Sequence, residues 1–211
     1  MTALLALMHL AVPWVLRYPP PLGTAVRFAG QRPEGLYTVA TVALGSVALL
    51  AAGSGPPGLV TAWTHLACVV AVVLGCAFPL VMGGLVSRPR RFVRLPRRPV
   101  WTGLCTASEE ALWRLAALGG LVHAGTPVLL AAMSTMAGFA LLHVPRNGWR
   151  VIPYQLLLGA ALTGLALLGG VLAAALFHYV HNLVMSATAR VSRRRAPAAP
   201  PDLPPSRSWD G

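Results

Sequence analysis

Val100-Trp-Thr-Gly-Leu-Cys-Thr-Ala-Ser-Glu109-Glu110-Ala-Leu-Trp-Arg114-Leu-Ala-Ala-Leu-Gly-Gly-Leu-Val122 is an apolar run with two carboxyls and a guanidinium in its middle. A helix needs about 20 mostly apolar residues to cross a bilayer, and this run has them. Each charge near the centre of such a helix costs roughly 2.5–3.5 kcal/mol on insertion scales. Three together cost on the order of 7–10 kcal/mol before any pairing. The other apolar stretches keep charge out almost completely, so these three need a reason.

The rest of the chain sets that run in a membrane context. Of 211 residues, 56% are hydrophobic and 10% charged, with a mean hydropathy of +0.66. An ordinary soluble domain carries about 25% charged residues, which excludes a soluble globular enzyme. Disorder needs low hydrophobicity and is excluded for the chain as a whole. Seven apolar segments can be marked: Thr2–Leu16, Leu36–Ala52, Gly58–Val86, Val100–Val122, Thr126–His143, Val151–Gly169 and Val171–Ala189. The expected fold is therefore all-α, a polytopic transmembrane bundle of about seven spans.

Orientation follows from the cations. All 17 are Arg, against five acidic residues, for a net charge of +12. With the Arg88–Pro99 loop in the cytoplasm, Arg17, Arg27, Arg32, Arg146, Arg150 and the basic tail from Arg190 fall on that same side. Sixteen of the 17 then obey the positive-inside rule, and the opposite loops hold no Arg. This predicts N-out, C-in, in the cell membrane. No soluble domain presents the charge to nucleic acid, and none is expected as a partner. Three parts follow: 1–99, with generic spans and the Arg-rich loop; 100–189, with the polar motifs; and 190–211, a basic, Pro-rich disordered tail. Cys68, Cys76 and Cys105 lie in apolar runs without CxxC spacing and read as small apolar fillers.

The seventeenth Arg is Arg114. Glu110 and Arg114 stand at i,i+4, neighbours on one helix face with Glu N-terminal, the better order. Glu109 is rotated by about 100° and has no partner in its own helix. A buried carboxyl without a partner is the kind of group that general acid/base chemistry employs. Two later segments carry matching pairs: Phe139-xxx-His143 and His178-xxx-Asn182, each again on one face. A lone intramembrane His or Asn is ordinarily a packing or helix-joining residue. Convergence from three segments argues for a site, set in a cavity that opens toward the cytoplasm.

Glu109-Glu110-xxx-Arg114, Phe139-xxx-His143 and His178-xxx-Asn182, in that order on successive apolar segments, resemble the three motifs of the CPBP intramembrane proteases. That family includes CAAX-type prenyl endopeptidases and bacterial bacteriocin-processing and immunity proteins. The resemblance covers roughly Val100–Ala189, with Gln155-Leu-Leu-Leu-Gly159 similar to the family's Gly-containing stretch between the second and third motifs. It implies that Glu109 and His143 activate water, that His178 and Asn182 donate to an oxyanion, and that Glu110 and Arg114 form a structural ion pair of the site. Phe139 is expected to pack, His181 to pack or support Asn182, and His9, His65 and His123 to be non-catalytic. Zinc in hydrolases commonly takes three His and Glu ligands, and Glu109, His143 and His178 would be that set. The absence of an HExxH helix, and the poor ligand character of Asn182, favour chemistry without a cofactor.

The expected function is endopeptidase cleavage of a membrane-associated peptide or protein. Two other readings stay open: a non-proteolytic membrane scaffold or immunity protein, and a transporter with an intramembrane proton relay. Against the last, no internal repeat is evident. The all-Arg composition, rich in Ala, Gly, Pro, Leu and Val, fits a GC-rich bacterial gene.

Overall fold

A helix satisfies its backbone within its own segment, which is what an apolar environment demands, and the apolar segments all take that form. The computed structural model describes residues 2–17, 33–51, 57–85 and 99–194. The Arg-rich loop, apart from Pro99, and the tail from residue 195 lie outside the described residues. Helices α1 (Thr2–Arg17), α2 (Pro33–Ala51) and α3 (Thr64–Leu85) come first. The fourth, α4, begins as Pro99–Glu110, widens into a π-helix over Ala111–Leu118 and ends as Gly119–His123. Next are α5 (Val128–Leu142), a short turn of helix at Val144–Asn147, α6 (Ile152–Gly169) and α7 (Val171–Arg194). Each expected segment is helical, and no strand occurs among the described residues.

Two differences from expectation stand out. Helix α7 runs to Arg194, so the first basic residues assigned to a disordered tail continue the helix. The motif helix is also not plain α: its π-helical stretch starts directly after Glu110 and contains Arg114. Such irregularities are frequent at functional sites. Among the described residues, four stretches are long and apolar enough to cross a membrane: Thr64–Met82, Val128–Asn147, Trp149–Gly169 and Val171–Thr188. Ala3–Arg17 and Gly35–Ala51 are apolar but shorter. Leu66, Val69, Val73 and Leu80 leave an outward apolar face on α3, as a lipid-facing helix would.

The segment before α3 closes the turn between α6 and α7. A helix end leaves several backbone groups without partners. Here the Val171 and Leu172 N–H groups donate to the carbonyls of Gly58 and Leu59, at 3.0 and 3.2 Å. The Thr61 and Thr64 hydroxyls donate to the carbonyls of Leu168 and Gly169, at 3.0 and 2.9 Å. Two Arg-free turns distant in sequence thus share one end of the bundle. Gly170 has φ +85°, and a Cβ there would meet the Leu59 carbonyl oxygen at 2.6 Å, so the turn admits only Gly.

Helix α2 lies against α4 where Gly45 faces Ser108, the residue before Glu109. A Cβ on Gly45 would come within 2.7 Å of the Ser108 Cα, which is backbone and cannot rotate away. Gly45→Ala is therefore expected to force α2 off α4 and destabilise the protein by about 1–3 kcal/mol. The check is thermal unfolding of the purified chain in detergent, where the midpoint should fall.

Candidate active site

The two acidic residues of α4 both reach His178 on α7 but differ in their other partners. Glu110 and Arg114 are both 0% exposed, and their closest charged atoms, Oε2 and Nε, are 3.3 Å apart. The contact is an ion pair without hydrogen-bond alignment, because neither atom has an aligned partner. Glu110 Oε1 lies 2.7 Å from His178 Nδ1 on α7. A carboxylate only accepts, so this ring nitrogen carries the proton and donates it. Arg114 Nη2 donates to the Gly159 carbonyl on α6 at 3.3 Å. Its guanidinium carbon sits 4.5 Å from the Phe139 ring centroid on α5, within cation–π range. One buried carboxylate and one buried guanidinium therefore tie α4 to α5, α6 and α7.

Glu109 takes its other partner from α2. Tyr37, on α2, donates its phenol O–H to Glu109 Oε1 at 2.7 Å. The remaining oxygen, Oε2, faces His178 Nε2 at 3.7 Å. The Cys105 thiol, one turn earlier on α4, lies 3.8 Å from Oε1. Glu109 is only 6% exposed, so its two oxygens are sorted: one anchored, one turned to His178.

His143 caps the end of α5, and its Nδ1 donates to the Phe139 carbonyl at 2.9 Å. A carbonyl can only accept, which leaves the lone pair on Nε2. The Phe139 ring is the common neighbour of the site, with centroids 4.9 Å from His143, 5.8 Å from His178 and 6.4 Å from Trp113. The expected packing role of Phe139 is thus specific: it floors the site and carries Arg114.

Asn182 is half-buried, and His181 is the residue that addresses it. The His181 ring lies between the Tyr154 hydroxyl, 2.6 Å from Nε2, and Asn182 Oδ1, 3.3 Å from Nδ1. With Nδ1–H donating to the amide oxygen, Nε2 accepts from Tyr154. The amide nitrogen of Asn182 is then the end left to donate elsewhere. Sequence spacing had offered His181 packing or support; its contacts are those of a support.

The zinc-ligand alternative named Glu109, His143 and His178. No group of three His, Cys, Asp or Glu side chains that could hold a metal ion occurs among the described residues. Glu109, His143 and His178 do not converge as such a set. Each nitrogen or oxygen for which a contact is given above is engaged by protein partners: Nδ1 of His143 by backbone, Nδ1 of His178 by Glu110, and Oε1 of Glu109 by Tyr37.

With the geometry in place, comparison with known proteins adds one finding. Residues 97–184 match the family model described as type II CAAX prenyl endopeptidase Rce1-like. Over this segment the chain is similar to that family, which is of the CPBP type. The match contains all seven motif residues and covers less than half of the chain. No curated protein and no solved structure gave a match. CPBP relatives of this type are peptidases of membranes, and the apolar helices described above agree with a membrane protein.

The CPBP segment ends short of residues that touch the site. Tyr37, His9 and Thr41 belong to α1 and α2, which sequence reading treated as generic spans. A buried-looking His9 in an otherwise apolar helix was the available signal.

Arg114→Met leaves Glu110 buried without its cation. Removing one partner of a buried pair typically costs about 3–5 kcal/mol. Chemical unfolding in detergent should register a loss of that size, and Glu110→Gln added to the same chain should recover part of it.

Proposed function

We propose that the chain is an intramembrane endopeptidase that hydrolyses a peptide bond in a membrane-associated protein or peptide. The observation carrying this reading is the approach of Glu109 Oε2 to His178 Nε2, 3.7 Å apart and almost wholly buried. A carboxylate and an imidazole thus meet in an apolar bundle, beside a second His whose Nε2 has its lone pair free.

The chemistry divides among these groups. A water held between Glu109 Oε2 and His143 Nε2 offers one proton to each acceptor. Glu109 takes its proton as the water oxygen attacks the carbonyl carbon. The carbonyl π pair moves to oxygen, where His178 Nε2–H and the Asn182 amide donate to it. A well-placed oxyanion donor contributes about 3–4 kcal/mol. Collapse of the tetrahedral intermediate breaks the C–N bond, and the proton on Glu109 passes to the leaving amine. His178 acts as donor only with a proton on each ring nitrogen.

Seven crossings, N-out and C-in, bring the Arg-rich segments to one side and His143 near it. The substrate peptide then enters from the cytoplasmic surface. Arg146 and Arg150 flank that entrance in sequence.

The test is cleavage by the purified chain in liposomes, read by mass spectrometry on membrane-associated peptides with prenylated and unprenylated C-termini. Wild type is expected to cleave at a defined bond, and Glu109→Gln to lower turnover by roughly 10²–10⁴-fold. Activity should persist in a strong chelator. Chelator-sensitive cleavage restored by zinc contradicts the mechanism. A well-folded wild type that cleaves nothing contradicts the proteolytic reading and favours a membrane scaffold.

A further inference from the structure

The family match begins at residue 97, yet Glu109 makes its shortest contact with a residue far upstream. Tyr37 donates to it at 2.7 Å across 72 residues of sequence. The phenol takes Oε1 and leaves Oε2 toward His178. A glutamate side chain ends in a torsion with broad preferences, so a carboxylate without such an anchor has no fixed choice of which oxygen to present. Tyr37 removes that choice.

Tyr37 is itself held by a directed chain of hydrogen bonds. The Trp113 indole can only donate, and it donates to His9 Nδ1 at 3.2 Å. The other nitrogen of a neutral imidazole then carries the proton. His9 Nε2–H donates to Thr41 Oγ1 at 3.0 Å, and the Thr41 hydroxyl donates to the Tyr37 carbonyl at 2.8 Å. Every direction is forced by its two ends, an indole that cannot accept and a carbonyl that cannot donate. His9 also packs on the Tyr37 ring, with centroids 5.5 Å apart. Both His9 and Thr41 are fully buried. The indole has room because position 138 is Gly, where a Cβ would meet it at 2.5 Å.

Trp113 stands at i+4 from Glu109. The chain therefore leaves α4 at Trp113, passes through α1 and α2, and returns to α4 at Glu109. This is a closed loop of contacts around one carboxylate. The chain fixes the Tyr37 backbone, and the Tyr37 phenol carries it on to Glu109, the carboxyl whose Oε2 faces His178 Nε2.

We propose that Tyr37 is a positioning residue, holding one Glu109 oxygen so that the other is presented to the reacting water, and that α1 and α2 are part of the active site. This rests on Glu109 being the base. A lost anchor should slow the chemical step, since misplacement of a reacting group by about 1 Å costs on the order of 10²-fold. Substrate binding should change little.

The experiment uses the purified full chain in liposomes and compares wild type, Tyr37→Phe and Val39→Ala, the last altering an exposed side chain on the same helix. Tyr37→Phe is expected to lower kcat by about 10–100-fold with KM within about twofold, and Val39→Ala to match wild type. Replacement of Tyr37 by p-aminophenylalanine, which keeps a ring donor, should restore most of the rate. A wild-type kcat in Tyr37→Phe, or an effect confined to KM, overturns the proposal. A second readout needs no turnover: the infrared carboxyl bands of Glu109, assigned by their loss in Glu109→Gln. They should shift in Tyr37→Phe, and unshifted bands overturn the proposal. Should the Phe chain fail to fold, p-fluorophenylalanine at position 37, which fills the para position without a donor, carries the infrared comparison with the same two outcomes. A wild type that cleaves nothing sinks the protease reading alone, and the infrared bands still decide whether Tyr37 holds Glu109.

Discussion

A guanidinium cannot shed its charge, and Arg114 carries one inside an apolar bundle with no exposed surface. Everything around it follows from that constraint. Burying a single ion in a protein interior costs several kcal/mol even after relaxation, so Glu110 must stand beside it as a carboxylate. Glu110 then has a second oxygen to satisfy, and His178 supplies an N–H. The Gly159 carbonyl and the Phe139 ring complete the shell on α6 and α5. One charge thereby fixes how four helices approach each other. It also fixes which nitrogen of His178 remains for other work.

That division separates the neighbouring carboxyls. Glu110 is consumed by Arg114 and His178, all its partners being protein groups that fold the site. Glu109 is anchored at one oxygen by Tyr37, with the other turned toward His178 Nε2. Adjacent residues of one helix point about 100° apart, so this split requires only that α4 lie between two groups of helices. On one side are α1 and α2, on the other α5, α6 and α7. The family match supplies the second group but not the first, although both reach Glu109, through His178 and Tyr37.

Much of the architecture was legible because membrane helices announce themselves by length and apolarity. Each of the seven marked segments contains a helix, though α3 starts six residues after Gly58 and α7 ends five past Ala189, and i,i+4 spacing identified Glu110–Arg114 as a pair. What sequence could not carry were contacts without local periodicity. Tyr37 meets Glu109 across 72 residues and Trp113 meets His9 across 104; no spacing rule links such positions. The π-helix after Glu110 was also hidden, since its sequence, Ala-Leu-Trp-Arg-Leu-Ala-Ala-Leu, reads as ordinary helix. His181 was ambiguous for a related reason, its role being set by Tyr154 on another helix. Protein partners of the candidate zinc ligands, Tyr37 for Glu109 and Glu110 for His178, were likewise out of reach of sequence spacing.

The central claim is that adjacent glutamates do different jobs, Glu110 holding the bundle together and Glu109 doing chemistry. Thermal unfolding of Glu109→Gln and Glu110→Gln, side by side in the same detergent, tests it most directly. Each substitution removes one negative charge and keeps the shape. The account predicts that Glu110→Gln unfolds well below wild type, because Arg114 is left without its counter-charge, while Glu109→Gln stays close to wild type. Equal losses, or a larger loss in Glu109→Gln, would contradict it.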